Sequence, residues 1–302
     1  MSTRPDAEDG TGIDENLVRS LLKDQYPHLS ELDVHSAVRG WDNEMWRLGA
    51  ESAVRIPRTD RAPELLRKEH RWLPALAPGL PLPVPTPLHL GEPTDRFPKP
   101  WTVAKWVPGE PADRTPISRP EDAADTLAAF LRALHAPAPA DAPASATRGV
   151  PLGLHAAAVD AGLRDLAAEG IPPEARDVWH AALAAPRWEA PPRWLHGDLH
   201  PANVVVTDGT LSGVLDFGEL CAGDPATDLA AAWLLLPEGA ADRFFAAYGR
   251  VDEATVLRAR GWAVCTSLGL LSVGRKGDQG LPGGKVTWGR AGRAALRRVT
   301  AR

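Results

Sequence analysis

The residues best suited to chemistry lie close together in one segment, 195–218, which reads LHGDLHPANVVVTDGTLSGVLDFG. Asp198 follows a His-Gly pair, Asn203 comes five residues later, and Asp216 opens an Asp-Phe-Gly triplet after an aliphatic stretch. Phosphoryl transfer needs a carboxylate that orients and deprotonates an attacking hydroxyl, and oxygen ligands that hold Mg²⁺ against a triphosphate. The pattern therefore predicts Asp198 as the base, with Asn203 and Asp216 as Mg²⁺ ligands.

A loop and a hairpin would be enough to position these three side chains. Asn203 stands at the start of a strand-like stretch, so a loop carrying Asp198 would place both residues at one edge of a sheet. A hairpin turn through Asp208–Gly209 would return Asp216 to the same edge. Alone, each Asp is more often a turn former and the Asn a cap, so the prediction depends on their combination.

This segment resembles the aminoglycoside phosphotransferase/choline kinase family, and in part the macrolide phosphotransferases. The resemblance rests on HGDLHPANVVV, LDFG and GDPATDLA (223–230), and it covers most of 36–235. It implies an α+β, bilobal protein-kinase-like fold, with a small antiparallel β-sheet N-lobe and a mainly helical C-lobe. It also implies that Asp224 and Asp228 are structural residues that brace the catalytic loop.

The same resemblance implies how the N-lobe holds a nucleotide. Gly40 and Asn43 bound a loop similar to the family's Gly-x-x-Asn loop, although a hairpin with these residues needs no ligand. Arg55 stands where the family usually has a phosphate-binding Lys; it keeps the charge but is bulkier. Glu69, on the following helix, is expected to pair with Arg55, whereas alone it would be read as a solvated helix charge.

A hinge is expected at Lys105, Trp106 and Val107, whose backbone groups would bind the nucleobase edge. Backbone recognition does not distinguish ATP from GTP, so either is an acceptable co-substrate. Trp106 is equally consistent with a core aromatic, since the chain has 11 Trp.

The order of elements predicts two lobes, an N-terminal nucleotide-binding lobe at 1–107 and a helical C-lobe at 108–302 with the catalytic loop and acceptor site. Residues 1–12 are polar and are expected to be disordered. Periodicity and turn signals predict the following elements: a helix at 13–26, strands at 35–40, 44–49 and 52–57, and helices at 62–76, 121–136, 153–169, 174–185 and from 228 onward.

The composition of the chain limits the kinds of partner and site that can be expected. The net charge is −5 with no basic tract, which argues against a nucleic-acid partner. Only Cys221 and Cys265 are present, so a disulfide framework or structural zinc site is not expected. No stretch reaches about 20 uninterrupted apolar residues, so a cytoplasmic protein without a membrane partner is expected. The sequence does not indicate an oligomeric state.

Two other functions remain open from the sequence. The departures in the Gly loop and at Arg55 are consistent with an inactive, kinase-like nucleotide-binding protein. His196, Asp198 and His200 resemble part of a metallohydrolase ligand set, although no histidine follows His200.

The acceptor is expected to be a hydroxyl of a macrolide, an aminoglycoside or a related metabolite. Acidic residues in the C-lobe are scattered, whereas aromatic residues are prominent, which tilts the expectation toward a bulkier, less charged acceptor. These aromatic residues are Trp233, Phe244, Phe245, Tyr248 and Trp262.

Overall fold

A computed structural model describes residues 12–301 of the chain. The disordered start expected at 1–12 lies outside the described residues, except for Gly12. The chain separates into two units by its internal contacts. The first unit extends to Pro74 and also contains Pro85–Trp106, and the second contains Ala75–Val84 and the chain from Val107 onward.

An antiparallel sheet forms the centre of the first unit, with strand order β1-β2-β3-β5-β4. The helices and strands of this unit are α1 (Glu15–Gln25), β1 (Val34–Arg39), β2 (Asn43–Leu48), β3 (Ser52–Pro57), α2 (Ala62–Leu76), β4 (Pro87–Gly91) and β5 (Trp101–Lys105). The predicted helix at 13–26 begins later, because Asp14 caps it by accepting a hydrogen bond from the Leu17 N–H at 2.8 Å. It ends at Gln25, because the Tyr26 backbone, with φ −136° and ψ 65°, is no longer helical.

The core of the first unit lies between α1 and the sheet. Leu21 and Leu22 of α1 are fully buried together with Val54 and Ile56 of β3. β3 is a central strand, so its side chains are buried on both faces of the sheet. Because side chains alternate along a strand, Arg55 points to the face opposite Val54 and Ile56, where it meets α2.

The second unit is mainly helical and carries two small sheets, with strand orders β6-β8-β9 and β10-β7. Its elements are β6 (Glu110–Pro111), α3 (Pro120–Leu134), α4 (Ala156–Asp165), α5 (Glu174–Ala184), β7 (Arg193–Leu195), β8 (Val204–Thr207), β9 (Thr210–Val214), β10 (Cys221–Gly223), α6 (Ala226–Leu229), α7 (Ala231–Leu234), α8 (Ala241–Tyr248), α9 (Glu253–Asp278) and α10 (Val286–Thr300).

The long helix α9 is the centre of the second unit, and α4, α5, α6 and α10 all pack against it. Its buried residues occur around much of its circumference, as expected for a helix surrounded by other elements. The helix predicted at 153–169 is interrupted: α4 is flanked by single 3₁₀ turns at Leu152–His155 and Ala167–Glu169. Within residues 12–301, no helix is long and apolar enough to cross a membrane.

Candidate active site

A tight hairpin brings the predicted catalytic segment together. β8 and β9 are joined by Asp208 and Gly209, whose φ angles are 51° and 76°. Two consecutive left-handed residues define the turn whose twist matches an antiparallel hairpin, and Asp and Gly are residue types that tolerate it. In the resulting register Val204 lies opposite Val214, so the residues that flank them meet at one end of the hairpin.

Asn203 and Asp216 flank this end of the hairpin, as the sequence predicts. The Leu215 N–H donates to the carbonyl oxygen of Asn203 at 2.8 Å, which continues the ladder by one step beyond β8 and β9. Asp216 follows with φ 57° and ψ 74°, a left-handed conformation that is uncommon for a residue other than glycine. Its carboxylate is exposed and accepts a hydrogen bond from the Gly218 N–H at 3.3 Å.

The amide of Asn203 closes the loop that carries Asp198. Asn203 Nδ2 donates to the carbonyl oxygen of Asp198 at 2.9 Å and lies 3.3 Å from Asp198 Oδ2. His200, in the same loop, places Nε2 3.5 Å from Asp198 Oδ2. The structure therefore brings Asp198 and Asn203 into direct contact, with Asn203 at the hairpin end that leads to Asp216.

The chemistry of Asn203 and Asp216 fits a hard divalent cation. Because Asn203 Nδ2 donates within the loop, its amide oxygen is the atom left to act as a ligand. The Asp216 carboxylate is exposed, and it is the second oxygen donor at this end of the hairpin. Amide and carboxylate oxygens are ligands that Mg²⁺ prefers, so these two residues are suited to hold it.

His196 is built into the loop. Its Nδ1 accepts a hydrogen bond from the Asp198 N–H at 3.1 Å, and its Nε2 donates to the carbonyl oxygen of Leu215 at 2.8 Å. The ring also packs on Phe217, with centroids 4.7 Å apart. Both ring nitrogens are thus used inside the segment, and this tautomer is the one that the partners require. Among the described residues, no three His, Cys, Asp or Glu side chains are grouped as a metal site.

Asp228 braces the catalytic loop from α6. Its carboxylate, 1% exposed, accepts from the backbone N–H groups of His196 at 2.6 Å and Gly197 at 2.9 Å. The chain of contacts continues outward, since His135 Nε2 lies 3.3 Å from Asp228 Oδ2 and His135 Nδ1 lies 2.8 Å from the Tyr248 hydroxyl. Burial and the nearby Asp228 charge raise the pKa of Tyr248 to about 12, so its hydroxyl remains a donor.

The Asp224 carboxylate contacts α9 and the first residue of α6. Its carboxylate accepts from Arg258 Nε at 2.7 Å and Arg258 Nη2 at 3.4 Å, and from the Ala226 N–H at 3.0 Å. Arg258 also donates to Thr255 and to the carbonyl oxygen of Pro186. Asp224 therefore caps the start of α6 and ties it to α9.

The surroundings of Asp198 favour its ionised form. Burial raises the pKa of this carboxyl, but the hydrogen bond and charge of His200, with the charge of Arg148, outweigh burial. The net result holds the pKa of Asp198 well below its usual range. A carboxylate in this state orients a hydroxyl by accepting its hydrogen bond, and takes the proton only as the hydroxyl oxygen loses electron density in the transition state.

In the first unit, Arg55 and Glu69 form the predicted ion pair. Arg55 Nη1 lies 2.5 Å from Glu69 Oε2, and Nη2 lies 3.1 Å from Oε1, so the contact is bidentate. The side chains are 8% and 0% exposed, respectively. A buried, bidentate contact fixes the guanidinium in one orientation, which a Lys at the same position could not reproduce.

The loop at Gly40–Asn43 is closed by its own hydrogen bonds. The Gly40 N–H donates to the Asn43 carbonyl oxygen at 2.9 Å, and a Cβ at position 40 would lie only 2.9 Å from that oxygen. Asp42 accepts from the Thr59 hydroxyl at 2.7 Å and from Arg61 Nε at 2.9 Å. Asn43 is 8% exposed and its Oδ1 has no hydrogen-bond partner among the described residues.

The three predicted hinge residues have different surroundings. The N–H groups of Lys105 and Trp106 donate to the carbonyl oxygens of Thr86 and Glu51 in the first unit. The Trp106 ring lies under the Arg47 guanidinium, 4.2 Å from its centroid. Val107 belongs to the second unit, where it is 5% exposed.

Several side chains around the catalytic loop are not predicted by the sequence. Arg148 contacts Asp198, Arg258 contacts Asp224, and Trp288 packs edge-on against His200 with centroids 4.6 Å apart. Each comes from a segment without a recognisable motif. For Arg258 and Trp288, only the interruption of an apolar helical pattern could have drawn attention, and such interruptions are common on ordinary surfaces. Arg148 lies in an irregular connection that offers no pattern at all.

Comparison with known proteins identifies the family. The model of a phosphotransferase enzyme family (APH) matches residues 33–264. A search of curated protein sequences found no significant match. Among solved structures, the aminoglycoside 2'-phosphotransferase-IIIa in its GDP complex is similar, with a TM-score of 0.69 and 20% identity over 95% of this chain and 99% of that one.

Macrolide kinases are also similar in structure. The macrolide 2'-phosphotransferase MphH from Brachybacterium faecium has a TM-score of 0.57 and 24% identity over 92% of this chain and 97% of that one. A macrolide 2'-phosphotransferase type I has a TM-score of 0.57 and 20% identity, with 95% and 97% covered. At these identities the likeness shows a common kinase-like α+β fold, which confirms the predicted fold class.

Proposed function

Since the chain belongs to the phosphotransferase enzyme family, we propose that it transfers the γ-phosphoryl group of ATP or GTP to a hydroxyl of a small molecule. The observation that carries this proposal is the assembly of Asp198, Asn203 and Asp216 by one loop and one hairpin. The family and fold support the reaction class, and these three residues would supply the groups that the reaction needs.

Asp198 would act on the acceptor hydroxyl. Its carboxylate accepts the hydroxyl hydrogen bond and so directs the oxygen at the γ-phosphorus. As the new O–P bond forms, the bond from the γ-phosphorus to the bridging oxygen breaks, and the nucleoside diphosphate leaves with that electron pair. The hydroxyl proton passes to Asp198. The low pKa of this carboxyl favours a transfer late in the reaction, so that orientation is its main contribution.

Each unit has its own candidate nucleotide contacts. We propose Asn203 and Asp216 as ligands of Mg²⁺, which when bound would neutralise charge on the phosphate oxygens. Arg55, fixed by Glu69, would contact the phosphates, and the Gly40–Asn43 loop would cover them. Base recognition would use backbone groups of 105–107. Because the N–H groups of Lys105 and Trp106 are already bonded, we expect their carbonyl oxygens and the Val107 N–H to serve.

We propose macrolides and aminoglycosides as the first acceptors to test, because phosphotransferases of both classes share the fold. Three of the five aromatic residues noted in the sequence give no support to the bulkier, less charged class. Phe244 and Trp262 are 0% and 2% exposed and form core, and the Tyr248 hydroxyl is bonded to His135. One of the scattered acids, Asp252, is the cap of α9.

The test is a coupled assay for nucleoside diphosphate release with ATP or GTP, Mg²⁺ and a panel of hydroxylated acceptors. Acceptor-dependent release is expected, and Asp198→Ala should reduce kcat about 10²–10⁴-fold with little change in nucleotide affinity. Asp216→Ala should weaken Mg²⁺-dependent nucleotide binding as well. An exposed carboxylate far from the hairpin turn, Asp177 of α5, offers a matched control as Asp177→Ala.

The outcomes separate the alternatives. Nucleotide binding without release for any acceptor would favour an inactive, nucleotide-binding protein. Equal loss of nucleotide affinity and turnover in Asp198→Ala would remove Asp198 from the role of base. Failure to bind either nucleotide would contradict the assignment of Arg55 and the Gly40–Asn43 loop.

A further inference from the structure

A guanidinium lies directly on the candidate catalytic carboxylate. Arg148 Nη2 is 3.1 Å from Asp198 Oδ1. The two side chains are 30% and 28% exposed, so the pair is partly shielded from water but still open on one side. Arg148 belongs to the connection between α3 and α4, and it is 50 positions away from Asp198 in the chain. The contact is therefore made by tertiary structure and not by the loop itself.

The backbone that carries Arg148 is held in place on both sides. The Arg148 N–H donates to the Ser145 hydroxyl at 3.1 Å. The next N–H, of Gly149, donates to Thr227 Oγ1 at 3.1 Å, and the Gly149 carbonyl oxygen accepts from the Asp224 N–H at 3.1 Å. Asp224 and Thr227 belong to the segment at and before α6, which also braces the loop that carries Asp198 through Asp228. The backbone at Arg148 is thus held in place relative to α6.

A close backbone crossing permits this anchoring. Gly149 has a φ of 66°, and a Cβ there would lie 2.6 Å from Leu195 Cδ1 and 2.8 Å from the Cα of Gly223. Only a residue without a side chain can occupy such a position. The stem of Arg148 then runs past Gly197, where an added Cβ would lie 3.4 Å from Arg148 Cγ. The connection is shaped to bring this arginine over the catalytic loop.

The contact leaves Asp198 able to act on a hydroxyl. An ionised carboxylate has about four lone-pair positions on its two oxygens. Arg148 uses one on Oδ1, while Asn203 and His200 lie next to Oδ2. The carboxylate is therefore held from both ends in one rotamer, and about one lone-pair position, on Oδ1, remains for an acceptor hydroxyl.

We propose that Arg148 is a positioning residue for phosphoryl transfer, which holds the Asp198 carboxylate in the orientation that receives the acceptor hydroxyl. This inference rests on the proposed function. Arg148 acts through Asp198 and not on the nucleotide, so its loss should lower kcat while leaving nucleotide binding intact. The expected decrease in kcat for Arg148→Ala is about 10- to 100-fold, the usual consequence of a small misplacement of a catalytic group.

The kinetic test compares Arg148→Ala, Arg148→Lys and the control Arg164→Ala, an exposed arginine on α4. Arg148→Lys keeps the charge without the planar fork and should retain intermediate activity. Added guanidinium ion, at concentrations that do not unfold the protein, should restore part of the kcat of Arg148→Ala but none of Asp198→Ala. Arg164→Ala should match the wild type. Thermal unfolding establishes that each variant is folded.

The proposal would be overturned if Arg148→Ala had the kcat of the wild type. It would also be overturned if kcat decreased but was neither restored by guanidinium nor partly retained in Arg148→Lys. A rise in the acceptor KM alone, with kcat unchanged, would also overturn it, since it would assign Arg148 to acceptor binding.

A measurement without acceptor separates this inference from the proposed function. In NMR spectra, the Arg148 Nη groups, assigned with Arg148→Lys, should show slow rotation in the wild type and fast rotation in Asp198→Asn. If the wild type transfers no phosphoryl group to any acceptor, the proposed function fails. Freely rotating Nη groups in the wild type would instead contradict the Arg148 contact itself.

Discussion

Removing one partner of the Arg55–Glu69 pair should destabilise the first unit strongly. The two side chains are 8% and 0% exposed and are joined by two hydrogen bonds, at 2.5 and 3.1 Å. Glu69→Ala removes both of these hydrogen bonds and the carboxylate charge beside the buried Arg55 guanidinium, and Arg55→Met removes the guanidinium beside the buried Glu69 carboxylate. Breaking a buried pair in this way typically costs about 3–5 kcal/mol. We expect each single variant to lose stability in this range.

The double variant distinguishes stability from function. Replacing both partners by apolar side chains of similar volume, as in Arg55→Met with Glu69→Met, removes the need to desolvate two charges. Such replacements are often neutral or stabilising, so the double variant should recover most of the free energy of unfolding that each single variant loses. It should nevertheless fail to bind ATP or GTP with Mg²⁺, because Arg55 is the proposed phosphate contact.

Urea unfolding followed by circular dichroism and tryptophan fluorescence gives the free energies, and calorimetry gives nucleotide binding. The control is Asp24→Asn, which breaks an exposed pair with Arg96 in the same unit and should stay within about 1 kcal/mol of the wild type. Single variants as stable as this control would refute the reasoning. A double variant that still bound nucleotide normally would remove Arg55 from the phosphate site.

Three further predictions concern the second unit. Folding lowers the pKa of Asp198, so its ionised form stabilises the protein at pH values above the unfolded pKa of about 3.9, and this contribution is lost as the pH falls further. The difference in unfolding free energy between wild type and Asp198→Asn should therefore be constant near pH 7 and shrink below about pH 4. A difference that does not depend on pH would contradict this prediction. Asp228→Asn replaces one of two buried acceptors by a donor facing the loop, so chemical denaturation should show a loss of about 1.5–3 kcal/mol and kinetics a lower kcat; an unchanged stability would rule out the bracing role. Trp288→Ala should lower kcat about 2- to 10-fold, as expected for loss of an aromatic pair, while Trp288→Phe should keep most activity; equal effects of the two would show that the ring contact with His200 is unimportant.

The local part of the site could be predicted from the sequence. The Asp208–Gly209 turn, the strands on either side of it and the positions of Asn203 and Asp216 follow from residue types and short spacings, and all are present in the structure. The Arg55–Glu69 pair, which the structure also contains, was expected only from the resemblance to the family, because a lone Glu on a helix is usually a solvated charge.

Contacts that depend on how distant segments pack could not be predicted. Arg148 lies in a connection without periodicity, and its approach to Asp198 depends on the crossing at Gly149. Trp288 belongs to a tail that carries no motif. The sequence offers Phe244 and Trp262 as acceptor contacts, but both side chains are buried in the core. The sequence alone does not separate the two roles, because large aromatic side chains suit a core and a binding site equally well.

The site combines residues that are close together in the sequence with others that come much later, and this order matters while the protein is being translated. Asp198, Asn203 and Asp216 leave the ribosome together, and a hairpin closes in about 1–10 μs once it is free to do so. Trp288 is 72 residues beyond Asp216 and takes roughly 4–14 s more to be synthesised. The hairpin that carries the proposed catalytic residues is thus available well before α10 has been synthesised. A nascent chain has this hairpin for seconds before it has the helix that supplies Trp288 to His200.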